Sequence, residues 1–456
     1  MRQRDLVVLS GLLLLLCLTR WPLAPKYLFY FDSVNMAYAL EHFSPPEHKP
    51  QPPGYPLFVG LCRGIHVLGA SVEHTFLWAG ILGGVLTGWM LWRFGTDLGR
   101  PRAGLLAAIL YSFTPVFWFN SLTNQSRGYS AVASAGTAWF CWRAAQPASH
   151  PGWLMGAAGF VGLMAGFRPV ETLMLTPLLL WAIWKRRPRP RDVALAAVLG
   201  AVPVAAWGWV LLDASGGLQA FLTMMSNYSN EQRVFAAGTA ASPWKVLFKS
   251  VEWVGAIHLT ALIPFVWAYG WKWGGRVGMA PIGGFALFTT VWMAPGIAFQ
   301  VVGHAADPCH TLASVTAVCL LGGLALDRLP RYAAWAALIV ACVLCAEVFF
   351  SPLRGAARAT SYHVISGVTR QVNPALEAIR AMERAGPPTV LITDSLVTWR
   401  HIRYYFPSAD IWMRDRVGVH SPSGATTFPT GDTSGVLVLD RYGPRFGIRE
   451  SDLARK

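Results

Sequence analysis

The chain has 456 residues, of which 54% are hydrophobic and only 13% charged, and its mean hydropathy is +0.40. Soluble domains carry about 25% charged residues, so an ordinary soluble fold is excluded. The net charge of +15 does not point to nucleic acid, because Lys and Arg fall between apolar stretches, where they orient spans and meet anionic lipid.

Apolar stretches of about 18 or more residues recur over the first three quarters of the chain, the length a helix needs to cross about 30 Å of hydrocarbon. No alternating pattern suggests a barrel, so helices must carry the spans. The first is expected at 6–25. Its basic start resembles a signal peptide, but Thr19-Arg20-Trp21-Pro22 offers no small-residue cleavage site, and an uncleaved anchor is expected. After a polar segment at 26–73, spans are expected at 74–94, 103–119, 128–145, 153–167, 170–184, 193–212, 251–269, 280–302, 309–326 and 332–350. That makes about eleven. With the amino terminus in the cytoplasm, the basic clusters at 93–102, 185–191, 272–276 and 328–331 all fall in cytoplasmic loops, as the positive-inside rule requires. The loops at 26–73 and 213–250 and the tail after 351 then lie outside the cytoplasm. Trp residues gather near span ends, as an interfacial belt would place them. Cys17, Cys141, Cys319, Cys342 and Cys345 sit within apolar stretches without metal-type spacing, and read as small buried residues rather than a disulfide framework.

The tail has ordinary charge density. An amphipathic helix is expected at 373–385, buried strands at 389–394 and 435–440, and a helix at 396–405. The expected architecture is an all-α polytopic membrane domain at 1–351, with the extracytoplasmic loop 26–73, followed by a small soluble α/β domain at 352–456.

The first outer loop holds the densest chemistry. It contains Tyr30-Phe31-Asp32-Ser33-Val34-Asn35 and, further on, His48-Lys49-Pro50-Gln51-Pro52-Pro53-Gly54-Tyr55-Pro56-Leu57. Asp32 follows the first span directly, near the membrane surface, where a lone carboxylate is costly unless paired or used. Residues 34–43 have the apolar spacing of an interfacial helix. The stiff Pro-Pro-Gly-Tyr-Pro turn redirects the chain into a second interfacial segment at 57–68. From the residues alone, Asp32 is either a functional acid or the N-cap of the following helix.

An Asp just after the first span, an interfacial helix and a Pro-Pro-Gly-Tyr-Pro-Leu element together resemble the GT-C superfamily of membrane glycosyltransferases. The likeness is to the branch of the protein O-mannosyltransferases and bacterial polyprenyl-phosphate-sugar transferases. It covers the first 180 residues or so in motif and the rest in layout. The resemblance implies a polyprenyl-phosphate sugar as donor, an extracytoplasmic acceptor (protein, lipid or glycan), an inverting transfer, and a bacterial inner-membrane setting. It makes Asp32 the catalytic base that takes the acceptor's proton. Two positions depart from the family. Ser33 stands where many members have a second acid, which weakens any role needing paired carboxylates, a divalent metal included. Gln51 stands where many have His, with His48 three residues earlier.

A lipid-phosphate donor also needs positive charge at the outer surface. Arg168, in Gly166-Phe167-Arg168-Pro169, is the main candidate for a bidentate phosphate contact, and Arg127 is the second. Their plain readings are a snorkelling interfacial Arg and ordinary loop charge. His48, Tyr55 and His304 are candidate substrate contacts. His304 and His310 flank Asp307 in a short outer turn, whose spacing reads either as a cavity-facing group with metal-type ligands or as a simple polar connection; Glu171 is expected to pair with Arg168. No metal site is assigned and no cofactor is certain; a divalent metal is compatible with the sequence but has no ligand set to support it. The competing class, a secondary transporter or flippase for a lipid-linked or small polar substrate, would place its ionisable groups and broken helices near mid-membrane in repeated halves. The candidate charges here cluster at the outer surface instead, and no repeat is visible.

Overall fold

The structure, a computed structural model, describes residues 3–123, 126–239, 282–303, 308–351, 356–415, 418–425 and 435–453, with isolated positions at 248, 251–252, 255 and 428. It is mostly helical. Helices α1 (Gln3–Arg20), α4 (Val72–Asp97), α5 (Pro101–Phe113), α6 (Pro115–Leu122), α7 (Gly128–Ala144), α8 (Gly152–Ala165), α9 (Pro169–Arg186), α10 (Pro190–Ala214), α12 (Ile282–Ala298), α13 (Leu312–Leu326) and α14 (Arg331–Phe350) build the bundle. Two short helices, α2 (Phe31–Glu41) and α3 (Pro56–Val67), form the first loop, and α11 (Leu218–Thr239) follows α10. Every expected span has a helix in its place except 251–269, which apart from 251–252 and 255 lies outside the described residues. Among the described residues six helices are long and apolar enough to cross a membrane alone, or seven if the α5–α6 pair counts as one span.

Small residues let these helices approach closely. A Cβ on Gly104 would come within 2.7 Å of the Trp92 carbonyl oxygen, so α4 and α5 touch backbone to backbone. The α5–α6 span bends by 58°. Thr114 is extended there, and Pro115 cannot donate the hydrogen bond that would continue α5. The fully buried Arg20 closes the break. Its guanidinium donates to the Ser112 carbonyl, which the bend frees, and to Ser121 Oγ at 3.3 Å, and lies over the Trp118 ring at 4.6 Å. Trp118 in turn stacks on Phe349 near the end of α14.

The tail forms a five-stranded sheet of order β3-β2-β1-β4-β5: β1 (Thr389–Ile392), β2 (Asp410–Arg414), β3 (Val419–His420), β4 (Leu437–Asp440) and β5 (Gly443–Phe446). The central pairs are parallel, with Val390 opposite both Ile411 and Leu437, and both edges are antiparallel. Helix α15 (Tyr362–Glu383) is longer than the expected 373–385 and runs through Pro374. Pro374 reads as a helix start, but Ile365, Val368 and Val372 extend the buried stripe of Leu376 and Ile379 upstream, and that burial outweighs one lost hydrogen bond. Helix α16 (Trp399–Tyr405) lies against α2 and joins the tail to the first loop.

The segment at 213–250, expected as a loop, contains α11. Its apolar residues Leu218, Phe221, Leu222, Met225 and Tyr228 recur at helical spacing, a signal that the polar residues between them mask.

Candidate active site

Four helix starts converge on one cavity of about 370 Å³. Asp32 stands in the first turn of α2, Tyr55 is the N-cap of α3, Arg127 that of α7 and Arg168 that of α9, and all four residues line the cavity. Helix starts expose unpaired backbone N–H groups and the positive end of the helix dipole, so this convergence favours an anion.

Local sequence explains each placement. Ser33, next to Asp32, is fully buried and donates to the Thr123 carbonyl at 3.0 Å, which seats α2 on the end of α6. Asp32 is thereby turned towards the cavity. Ser33 is thus a packing residue: a carboxylate there would face a carbonyl oxygen in a dry site. The Pro-rich turn reaches the cavity by unusual backbone. The Lys49–Pro50 and Pro52–Pro53 bonds are cis, and His48, Gly54 and Tyr55 have φ of 56°, 112° and 49°. The φ of 112° is what calls for glycine at 54, and a Cβ there would in addition have to displace Leu211 Cδ1 at 2.7 Å. The Leu57 N–H then donates to the Gly166 carbonyl at 3.1 Å, tying α3 to the segment that carries Arg168.

Arg168 is only 6% exposed. Its guanidinium lies over the Tyr55 ring at 5.2 Å and Nη1 donates to Ser126 Oγ at 3.4 Å. Proline at 169 fixes the start of α9 and leaves Arg168 extended at the cavity wall. Arg127 Nη2 is 3.9 Å from Asp32 Oδ2. Asp32 is the one acid lining the cavity among the described residues, against two guanidinium groups. The floor is completed by Met225, Tyr228 and Ser229 of α11, none of them anticipated from sequence, and by His310.

The sequence candidates therefore divide. Asp32, Tyr55, Arg127 and Arg168 come together. His48 lies beside them on the other side of Pro52, in a second cavity of about 680 Å³ that shares Pro52 and Tyr228 with the first. Its ring meets Tyr228 edge-on at 6.2 Å. Burial and the nearby Arg400 charge lower its pKa, against the opposing pull of Glu231 and Asp32. His304 lies outside the described residues, as does the Glu171 side chain expected to pair with Arg168. Among the described residues no group of three or more His, Cys, Asp or Glu side chains is placed to hold a metal.

Part of the sequence and the fold have known counterparts. Residues 50–209 match the family described as dolichyl-phosphate-mannose-protein mannosyltransferase, a stretch that includes Tyr55, Arg127 and Arg168 but not Asp32. Among solved structures, ArnT from Cupriavidus metallidurans bound to undecaprenyl phosphate superposes with a TM-score of 0.60 at 14% identity, over 90% of this chain and 86% of that one. The chain has the GT-C fold. The apo state of the same ArnT gives a TM-score of 0.56 at 15% identity over 90% and 85% of the two chains. The oligosaccharyltransferase of Archaeoglobus fulgidus in its apo form, at 12% identity, gives 0.48 over 89% of this chain and 64% of that one. No curated protein matches the sequence. The GT-C resemblance read from the first loop is thus borne out, together with a helical membrane body and a small C-terminal sheet.

Proposed function

We propose that this GT-C protein transfers one glycosyl unit from a polyprenyl-phosphate donor to an acceptor hydroxyl or amine on the extracytoplasmic side of a bacterial inner membrane. The observation that carries the reading is the Asp32 carboxylate set against the Arg127 and Arg168 guanidiniums where four helices begin. The crystal form of ArnT that holds undecaprenyl phosphate supports a lipid-phosphate donor, and the matched mannosyltransferase family supports glycosyl transfer. Residues 1–351 form the membrane unit in this reading and 352–456 the extracytoplasmic one, with the amino terminus in the cytoplasm.

In the reaction Asp32 accepts the acceptor's proton as the acceptor atom bonds to the anomeric carbon. The bond from that carbon to the phosphate oxygen breaks, and its electron pair leaves with the polyprenyl phosphate. Arg168 and Arg127 stabilise the charge that gathers on the phosphate, aided by the helix starts around it. Arg168 is the stronger of the two, because burial against Tyr55 holds it in place and removes the water that would screen it.

The test offers the purified protein a panel of polyprenyl-phosphate sugars and follows transfer to acceptor and to water. One donor should be consumed. Asp32→Asn should slow its consumption by about 10²–10⁴-fold, the usual worth of a positioned general base. Donor bound by the wild type yet never consumed would replace this reading with a transporter.

A further inference from the structure

One residue of the C-terminal unit reaches back to both sides of the catalytic loop. Arg400, at the second position of α16, donates from Nη1 to Asn35 Oδ1 at 2.8 Å and to the His48 carbonyl at 3.2 Å, and from Nη2 to the Glu47 carbonyl at 3.0 Å. Its guanidinium lies 5.2 Å from the Phe31 ring and 5.1 Å from that of Trp399. Phe31 adjoins Asp32, and Asn35 lies one turn along α2, so two contacts bracket the carboxylate on its own helix. The other two hold the turn that presents His48 and leads into Gln51, Pro52 and Tyr55. Asn35 is fully buried, and without Arg400 its Oδ1 would lose its donor in a dry site.

We propose that Arg400 is a positioning residue. It fixes the Asp32 helix and the His48 turn relative to each other, so that the C-terminal unit is a working part of the site rather than an appended domain. The inference rests on the glycosyl-transfer reading for its effect on turnover, but not for its effect on loop geometry. A guanidinium suits the task because three donors in one rigid plane can meet an amide oxygen and two carbonyls at once; a lysine ammonium has no such fork. Other contacts keep the unit docked without it. The Tyr405 hydroxyl donates to Glu73 at 2.6 Å and accepts from the Leu28 N–H at 3.0 Å, the Tyr27 hydroxyl donates to Glu377 at 2.6 Å, and Tyr404 packs edge-on against Tyr38 at 5.1 Å.

The test compares Arg400→Ala and Arg400→Lys in the full-length protein. Both should lower kcat for glycosyl transfer by about ten- to a hundredfold, the loss expected from small misplacement of a reacting group. The KM for donor should stay unchanged, because Arg168 and Arg127 are untouched. A second readout needs no activity: the titration of His48 by NMR. Among the described residues the charged and titratable groups facing His48 are Arg400, Glu231 and Asp32, with Tyr228 beside them. Arg400→Ala removes the neighbouring positive charge and should raise the His48 pKa, whereas Arg400→Lys keeps the charge and should leave it nearly in place. Hydrogen exchange should quicken at 44–55 in both variants while α15 stays protected. Full kcat in Arg400→Ala, or unchanged exchange at 44–55, overturns the proposal. A raised donor KM with kcat intact also overturns it, by making Arg400 a binding residue. A wild type that consumes no donor defeats the glycosyl-transfer reading, and exchange and titration then still decide the coupling.

Discussion

At the scale of single residues, the structure separates groups that look alike in the sequence. Arg20, Arg127, Arg168 and Arg400 are all arginines beside aromatic residues near span ends or loops. Arg20 is fully buried and spends its donors on the backbone of the broken α5–α6 span, so its work is structural. Arg20→Leu should cost about 3 kcal/mol or more, since it orphans carbonyl and hydroxyl groups in a dry interior. Thermal unfolding in detergent reads that loss, and unchanged stability would show that the break closes without it. Because α6 ends at the carbonyl that Ser33 engages, the same change should also loosen α2 and reduce turnover. Gly54→Ala combines a positive φ with a contact to Leu211. It should lower transfer activity more than stability, because the strain falls on the turn that shapes the cavity.

At the scale of elements, the docking of α16 on the first loop carries its own pH dependence. His401 is fully buried, accepts at Nδ1 from the Thr398 backbone N–H at 3.3 Å, and burial lowers its pKa to about 4. A chain in which this histidine is exposed takes up a proton near pH 6.5, whereas the packed chain resists doing so until about pH 4. The stabilising effect of the neutral ring is therefore complete above about pH 6.5 and is lost progressively as pH falls towards 4. The loss should reach the order of 3 kcal/mol. Hydrogen exchange of α16 and of 26–31 between pH 7.5 and 4.5 measures it. His401→Asn should flatten the dependence, and an unchanged slope in that variant would assign the effect to another group.

At the scale of the whole molecule, the sequence reveals what depends on local chemistry and hides what depends on distant contact. Spans are legible because a lipid-facing helix must be apolar along its length, and basic loops betray their order. The strands β1 and β4 are legible as short apolar runs, whereas β2, β3 and β5 are short and partly polar and form only by pairing with them. Asp32, Arg127, Tyr55 and Arg168 are legible through the resemblance carried by the first loop and the positive charge a lipid-phosphate donor needs; from the residues alone Asp32 reads equally as a helix cap. Met225 and Tyr228 are not, since α11 lines the cavity only through tertiary packing. Arg400, Glu73 and Glu377 are invisible for the same reason, their partners lying more than three hundred positions away.

The central claim, that this cavity receives a lipid-linked phosphate, is tested most directly by the affinity of purified wild type, Arg168→Ala and Asp32→Asn for polyprenyl phosphate. Arg168→Ala should weaken binding by about ten- to a hundredfold, the worth of a charge-assisted hydrogen bond in a shielded site. Asp32→Asn should bind as tightly as wild type or more so, because it removes a negative charge that faces the ligand. Equal affinity in wild type and Arg168→Ala, or weaker binding in Asp32→Asn, would contradict the account.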